Sequence, residues 1–306
     1  MEGKLCRVRA DLPRAAQLFR RESTTDDGDD GVEQDGADDD GTSTRWTQLE
    51  HLMDYELAWC LILIGDYKAG GELFGGLATS TNWSRAFYAY LQAGCLFAMG
   101  DTQQAMAVLG TVPALVKKRF GGRLIPAEQY VLRKHKQLTE NPPPADKPWA
   151  NLILELIYIW NGFHQLDAAG RARAIEQLEE AEAAARTRDE KAVIQVALAS
   201  VLREHGSLDA AVQALDRIDE SIKDDRYAVV FSWYERAVTA CYHSTTAGKA
   251  SSPSSSSSSA NDGQSWLVAE SWLKRASEAE GYDFDNRLHL RVQLLRSGIA
   301  EAQNAN

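Results

Sequence analysis

Six histidines, four cysteines and a run of ten carboxylates are the side chains of this 306-residue chain that could take a metal ion. His51, His135, His164, His205, His243 and His289 each stand alone. None has a second His four residues on or a Cys at ligand spacing, so they read as surface or helix-end residues. Cys6, Cys60, Cys95 and Cys241 lie far apart, form no CxxC, and read as free thiols of a cytosolic chain. The carboxylates of residues 22–44 invite a test for Ca2+. An EF-hand loop needs oxygens at positions 1, 3 and 5 and a Glu at position 12 around a central glycine. With Gly31 at the centre, position 3 is Gly28 and position 12 is Ala37, so the run reads as solvated charge. Gly75-Gly76 and Gly121-Gly122 precede no Lys-Ser/Thr and follow no strand, which excludes a phosphate-cradling loop. No GxSxG is present, and neighbouring carboxylates such as Glu179-Glu180 fall on helix faces. The side chains therefore predict no catalytic residue, no metal and no cofactor. The chain is expected not to be an enzyme.

The charge has a local origin. The chain holds 44 acidic and 33 basic residues, a formal net charge of −11. Residues 22–44 contain ten acids and no Lys or Arg, so the remainder is nearly neutral. Nothing in that remainder supplies the basic surface that nucleic acid needs. No apolar run approaches the ~18 residues of a membrane span; the longest uninterrupted one is Leu57–Ile64. The N-terminus carries no secretory signal pattern, so the sequon Asn82-Trp83-Ser84 reads as chance.

Helical spacing runs through almost the whole sequence. Leu49, Leu52, Met53, Leu57, Cys60 and Leu61 place an amphipathic helix over Gln48–Ile64. Gly65-Asp66 breaks it, and Tyr67–Ala78 resumes. Trp83–Met99 is the next helix, Gly100-Asp101 the next break, and Thr102–Leu109 follows. Pro113–Phe120 with Pro126–Thr139, and Trp149–Leu166 with Gly170–Arg186, are two further candidate pairs. A third turn stands at Gly206-Ser207, and Asp285 is an expected N-cap for Asn286–Ala302.

Residue size repeats around the three turns. With each turn glycine at position 15 of a 34-residue unit, position 8 is Ala58, Ala93 and Ala199. Position 20 is Gly70, Ala105 and Ala211, and position 24 is Phe74, Leu109 and Leu215. Small residues at 8 and 20 let antiparallel helices approach, and the large one at 24 fills the space beside them. This is the tetratricopeptide pattern. It predicts an all-α, right-handed superhelix of antiparallel helix pairs over residues 45–306. Residues 1–21 read as a partial hairpin with a truncated start. Residues 22–44 and the serine-rich stretch 244–264 read as disordered insertions, since neither can bury enough apolar surface to order itself. In the usual tetratricopeptide geometry, positions 5 and 12 of each first helix line a concave groove. Here they are Tyr55 and Ile62, Tyr90 and Phe97, Val196 and Arg203, a largely apolar groove suited to a protein or peptide partner.

Several strings carry a resemblance. They are Tyr55-Glu56-Leu57-Ala58-Trp59-Cys60, then Trp83-Ser84-Arg85-Ala86 with Tyr88-Ala89-Tyr90, then Tyr158-Ile159-Trp160-Asn161 and Asp189-Glu190-Lys191-Ala192. The last is Tyr282-Asp283-Phe284-Asp285-Asn286-Arg287-Leu288-His289. In this order and spacing the chain resembles the tetratricopeptide repeat protein 39 or inclusion-body clearance (Iml2-like) family, over residues 45–306, the C-terminal half of a typical member. The resemblance implies an all-α superhelix with no catalytic or cofactor residue to carry over. It implies a cytoplasmic scaffold for protein partners, with members at the mitochondrial outer membrane, the nucleus or lipid droplets and fungal-type members linked to clearance of protein inclusions. This chain departs from the pattern in lacking the N-terminal half and in its acidic and serine insertions. A second reading is a lipid- or sterol-associated adaptor that docks peripherally on an organelle surface, with Lys117, Lys118, Arg119, Arg123, Arg133, Lys134 and Lys136 as its basic cluster.

Overall fold

In a computed structural model, residues 2–24, 40–117, 122, 124–250 and 258–304 are described. They are helical throughout, with no strand among them. The first elements are α1 (Glu2–Val8), α2 (Leu12–Thr24), α3 (Asp40–Ile64), α4 (Tyr67–Ser80), α5 (Arg85–Ala98), α6 (Thr102–Leu115) and α7 (Pro126–Glu140). They continue as α8 (Asn151–Ile159), a short 3-10 turn at Phe163–Gln165, α9 (Ala168–Ala184), α10 (Arg188–His205) and α11 (Leu208–Asp216). The last are α12 (Tyr227–Ala250), α13 (Ser258–Ser277) and α14 (Asp285–Asn304). The chain forms two compact units. One is Met1–Ile153 with His164–Gly170; the other is Leu154–Phe163 with Arg171–Asn306.

The three expected turns share one geometry. Gly65, Gly100 and Gly206 have φ of 97°, 82° and 93°, the left-handed region that only glycine enters without strain. Asp66 N–H reaches back to the Leu61 carbonyl at 2.8 Å and Gly65 N–H to that of Ile62 at 3.0 Å. The same two bonds recur from Asp101 to Leu96 and Gly100 to Phe97, and from Ser207 to Leu202 and Gly206 to Arg203. Each first helix thus ends in a glycine-capped Schellman turn. Asp66 and Asp101 then cap the second helix, accepting from Ala69 N at 3.1 Å and Gln104 N at 3.0 Å.

The size pattern does what it predicts. Ala58, Ala93, Ala199, Ala105 and Ala211 are buried, and so are Phe74, Leu109 and Leu215. A Cβ on Gly70 would come 2.9 Å from Ile62 Cγ1, so α3 and α4 pack too closely there for any larger residue. In the first unit α2 packs on α3, α3 on α4, α4 on α5 and α5 on α6. In the second, α10 pairs with α11, α12 with α13, and α14 lies against both α12 and α13.

Two expectations change. Pro113 does not open a helix; it sits in the last turn of α6, which runs to Leu115. Val112, wholly buried beside it, keeps that turn packed, so the missing N–H near the end costs little. The pair expected from Pro113–Phe120 and Pro126–Thr139 is therefore not formed, and α7 packs on α5 and α6 instead. Helices also run beyond their apolar stripes: α2 ends at Thr24, α3 begins at Asp40, α12 reaches Ala250 and α13 begins at Ser258. Spacing reports only the packed part of a helix. Of the stretches expected to be disordered, residues 25–39 and 251–257 lie outside those described, while 22–24, 40–44, 244–250 and 258–264 continue the flanking helices.

Candidate functional site

The six residues expected to line a groove do not share one surface. Ile62 is buried against Gly70. Tyr90 is buried with its ring edge-on to Tyr130 of α7, centroids 5.8 Å apart. Phe97 is buried edge-on to Trp149 at 6.0 Å, and Trp149 N–H donates to the Phe97 carbonyl at 2.8 Å. Next to them, a Cβ on Gly94 would fall 2.6 Å from Leu152 Cδ2. In the first unit, then, α7 and residues 149–152 cover the α5 face that an open array would leave to a partner. Val196 and Arg203 are buried in the second unit. Tyr55 alone of the six stays partly open.

Arg203 is an ion-pair centre. Its Nη2 donates to Glu235 Oε2 at 2.9 Å and its Nε to the same oxygen at 3.2 Å. Its Nη1 reaches Glu204 Oε1 at 2.5 Å, and its guanidinium lies 5.3 Å from the Tyr242 ring centre. Burial works against this cation, but Glu235 and Glu204 outweigh it and hold its pKa above the ordinary value. Around it, Tyr227 donates to Glu155 Oε1 at 2.5 Å. Arg291 Nη2 donates to the carbonyls of Tyr158 and Ile159 at 2.9 and 2.8 Å, closing the C-terminal end of α8. Burial, then the charge of Glu235, pushes the Tyr158 phenol well above its usual range. These bonds tie α8, α10, α12 and α14 of the second unit together; each buried ion named meets an opposite charge, a phenol or a carbonyl.

The surface the sequence reading missed lies beside Tyr55. Trp83, expected to open the helix Trp83–Met99, is 45% exposed, and Leu52 of α3 is 43% exposed. Tyr55 meets Tyr88 at 6.2 Å between centroids, and Trp83 meets Tyr88 at 5.4 Å and Phe87 at 6.3 Å. Phe74 stacks beneath Tyr88 at 6.1 Å and 19°. The turn that presents Trp83 is fixed by polar bonds. Thr81 Oγ1 lies 2.9 Å from the Leu77 carbonyl and 3.1 Å from that of Trp83, and Arg85 Nε donates to the Ala78 carbonyl at 2.5 Å. Spacing begins the helix at Trp83, whereas α5 begins at Arg85 and leaves the indole in the turn before it.

Other candidate chemistry disperses. Lys134 of the expected basic cluster is buried, its ammonium 5.7 Å from the centre of the Tyr130 ring, while Lys136 is exposed. Lys118, Arg119 and Arg123 of that cluster, like the acidic run at 25–39, lie outside the described residues. Among the described residues no group of three His, Cys, Asp or Glu could hold a metal ion, and no helix is long and apolar enough to cross a membrane. The four cysteines are free. Burial pushes the Cys60 and Cys241 thiols up to about 11 and Cys95 higher still. Since the thiolate is the reactive form, titration of the native protein at pH 8 with a coloured disulfide reagent is expected to modify half-exposed Cys6 first. The other three should react only on denaturation; rapid reaction of Cys95 would show that its surroundings open.

Helix pairs closed by Gly-capped turns, small residues at the crossing points and a large residue beside them define a tetratricopeptide-type helical-repeat protein. The chain matches the Iml2/Tetratricopeptide repeat protein 39 family over residues 36–205, more than half its length, and belongs to that family. The matched span ends with α10, so the Tyr282–His289 string lies beyond it. No solved structure matches the chain.

Proposed function

We propose that this chain is a non-catalytic interaction scaffold whose partner is a protein segment seated on the Leu52–Tyr55–Trp83 surface. One observation carries the reading: an indole 45% exposed, held by a hydrogen-bonded turn and backed by a stacked aromatic cluster. A large aromatic kept rigid at the surface loses little entropy on binding, and such residues anchor interfaces. An exposed indole and an exposed leucine suit a helical or extended peptide bringing one or two apolar side chains. The family membership extends the proposal to a cytoplasmic role in handling protein inclusions or at organelle surfaces.

Proximity labelling by the full chain, compared with Trp83→Ala and Tyr55→Ala, tests it. Trp83→Ala is expected to cost about 1–3 kcal/mol, since the buried half of the indole and its contacts with Tyr88 and Phe87 are lost, so labelling is compared where both chains stay folded. It is also expected to remove a defined set of labelled proteins. An unchanged set with both variants would refute the assignment of the surface.

A further inference from the structure

Helix α14 buries one face and leaves two leucines on another open to solvent. Leu288, Arg291 and Val292 face the second unit's core, while Leu290 is 57% and Leu294 is 64% exposed. The open face follows a spacing of three and four: Arg287, Leu290, Leu294, Gly298 or Ser297, and Glu301. That is the spacing of a helix–helix seam. Arg287, Gly298 and Glu301 are exposed as well, and a Cβ added to Gly298 would meet nothing within 4 Å. The other flank of α14 is already engaged, through Arg296 Nη2 and Glu270 Oε1 of α13 at 2.7 Å.

The seam is complementary to itself. Place a second copy by half a turn about an axis that passes between the two helices at the level of Leu294 and lies across both, so that two α14 helices run antiparallel. Leu294 then meets the second copy's Leu294. Leu290, four residues before, meets Gly298, four residues after. Arg287, seven before, meets Glu301, seven after. At ~100° per residue, Leu290 and Gly298 lean to opposite sides of the Leu294 line, as do Arg287 and Glu301; the half turn keeps each residue on its own side, so Leu290 and the second copy's Gly298 lie side by side in one layer across the seam, as do Arg287 and Glu301. A large residue thus faces a gap, and a cation faces an anion twice over. Arg287 is also fixed in place, its guanidinium 3.9 Å from the centre of the Trp160 ring. An unrelated partner would need neither coincidence.

We infer that α14 is a homodimerisation helix, pairing isologously with α14 of a second copy of this chain around Leu294. One helix pair is a small interface, so the association is weak and concentration-dependent.

Sedimentation equilibrium of the full chain over about 1–100 µM tests it. A reversible monomer–dimer equilibrium is expected, abolished by Leu294→Lys and weakened at least tenfold by Glu301→Arg. Arg287→Glu should weaken it similarly. Mixing the Glu301→Arg and Arg287→Glu chains should restore dimers, because each then supplies the charge the other lacks. Should Arg287→Glu disturb folding through the Trp160 contact, a second experiment stands apart from it. A Leu294→Cys chain should form a disulfide-linked dimer on mild oxidation with diamide, while Leu267→Cys, 69% exposed but off the seam, should not. A chain that stays monomeric throughout, or a dimer indifferent to Leu294→Lys, overturns the inference. The first result would leave the face to a different partner.

Discussion

Replacing Glu235 by Ala is expected to lower the unfolding free energy of the second unit by about 3–5 kcal/mol, the usual cost of breaking a buried ion pair from one side. Arg203 is 5% exposed and donates two of its bonds to a single Glu235 oxygen. Without that carboxylate the guanidinium remains inside with Glu204, whose side chain is 17% exposed, as its remaining counter-charge. A buried cation cannot recover its lost hydration, and an arginine cannot shed its proton to escape. The double variant Arg203→Met/Glu235→Leu should behave differently. It removes both charges and keeps the volume, so its stability should lie close to the parent's or above it. Urea unfolding of the parent, both single variants and the double variant decides the matter. The midpoint should fall sharply for each single change and recover in the double. Equal losses for single and double variants would mean that the polar contacts themselves, and not the uncompensated charge, hold α10 to α12.

This pair also marks how far residue types can be read from a sequence. Arg203 was placed by repeat arithmetic in a groove open to a partner. The residue falls on α10 as expected, but it is buried there. What the arithmetic could not include was Glu235 on α12, 32 residues away, which supplies the counter-charge. Tyr90 and Phe97 repeat the lesson in the first unit. They were expected to line a groove, but Tyr130 and Trp149 of the same chain pack against their rings. A warning stood in the sequence. In α5 every residue from Ala86 to Ala98 except Gln92 is buried, and a helix apolar all round is covered all round.

The features that were legible are those with local causes. A left-handed glycine followed by a capping Asp closes the turn at Gly65-Asp66 and again at Gly100-Asp101, whatever lies elsewhere. Small residues at fixed offsets from those turns follow from the crossing distance of two helices. Pro113 was misread because the same residue can begin a helix or survive in its last turn; burial of Val112 decides, and burial is not local. The exposure of Trp83 was hidden for the same reason: helical spacing does not say which aromatic the packing leaves outside.

Phe74 joins the repeat to the proposed partner surface, and Phe74→Ala is the second large effect. It occupies the repeat position held by Leu109 and Leu215 and is wholly buried. Its ring stacks on Tyr88 and meets Trp59 edge-on at 5.9 Å and Tyr55 at 6.2 Å. Truncation removes the transfer energy of the ring and leaves a cavity between α3, α4 and α5, a loss of about 3–5 kcal/mol. Phe74→Leu keeps most of the volume and matches the other two repeats, so it should cost less. It nevertheless removes three aromatic contacts beneath Tyr88 and Tyr55, and such contacts are each worth about 0.5–1.5 kcal/mol beyond the area they bury. Thermal unfolding should therefore rank the parent above Phe74→Leu and that above Phe74→Ala. Proximity labelling should show Phe74→Leu losing part of the set that Trp83→Ala loses, although position 74 itself touches no solvent. If Phe74→Leu labels like the parent while Trp83→Ala does not, the indole alone makes the contact and the aromatic layer below serves only the fold.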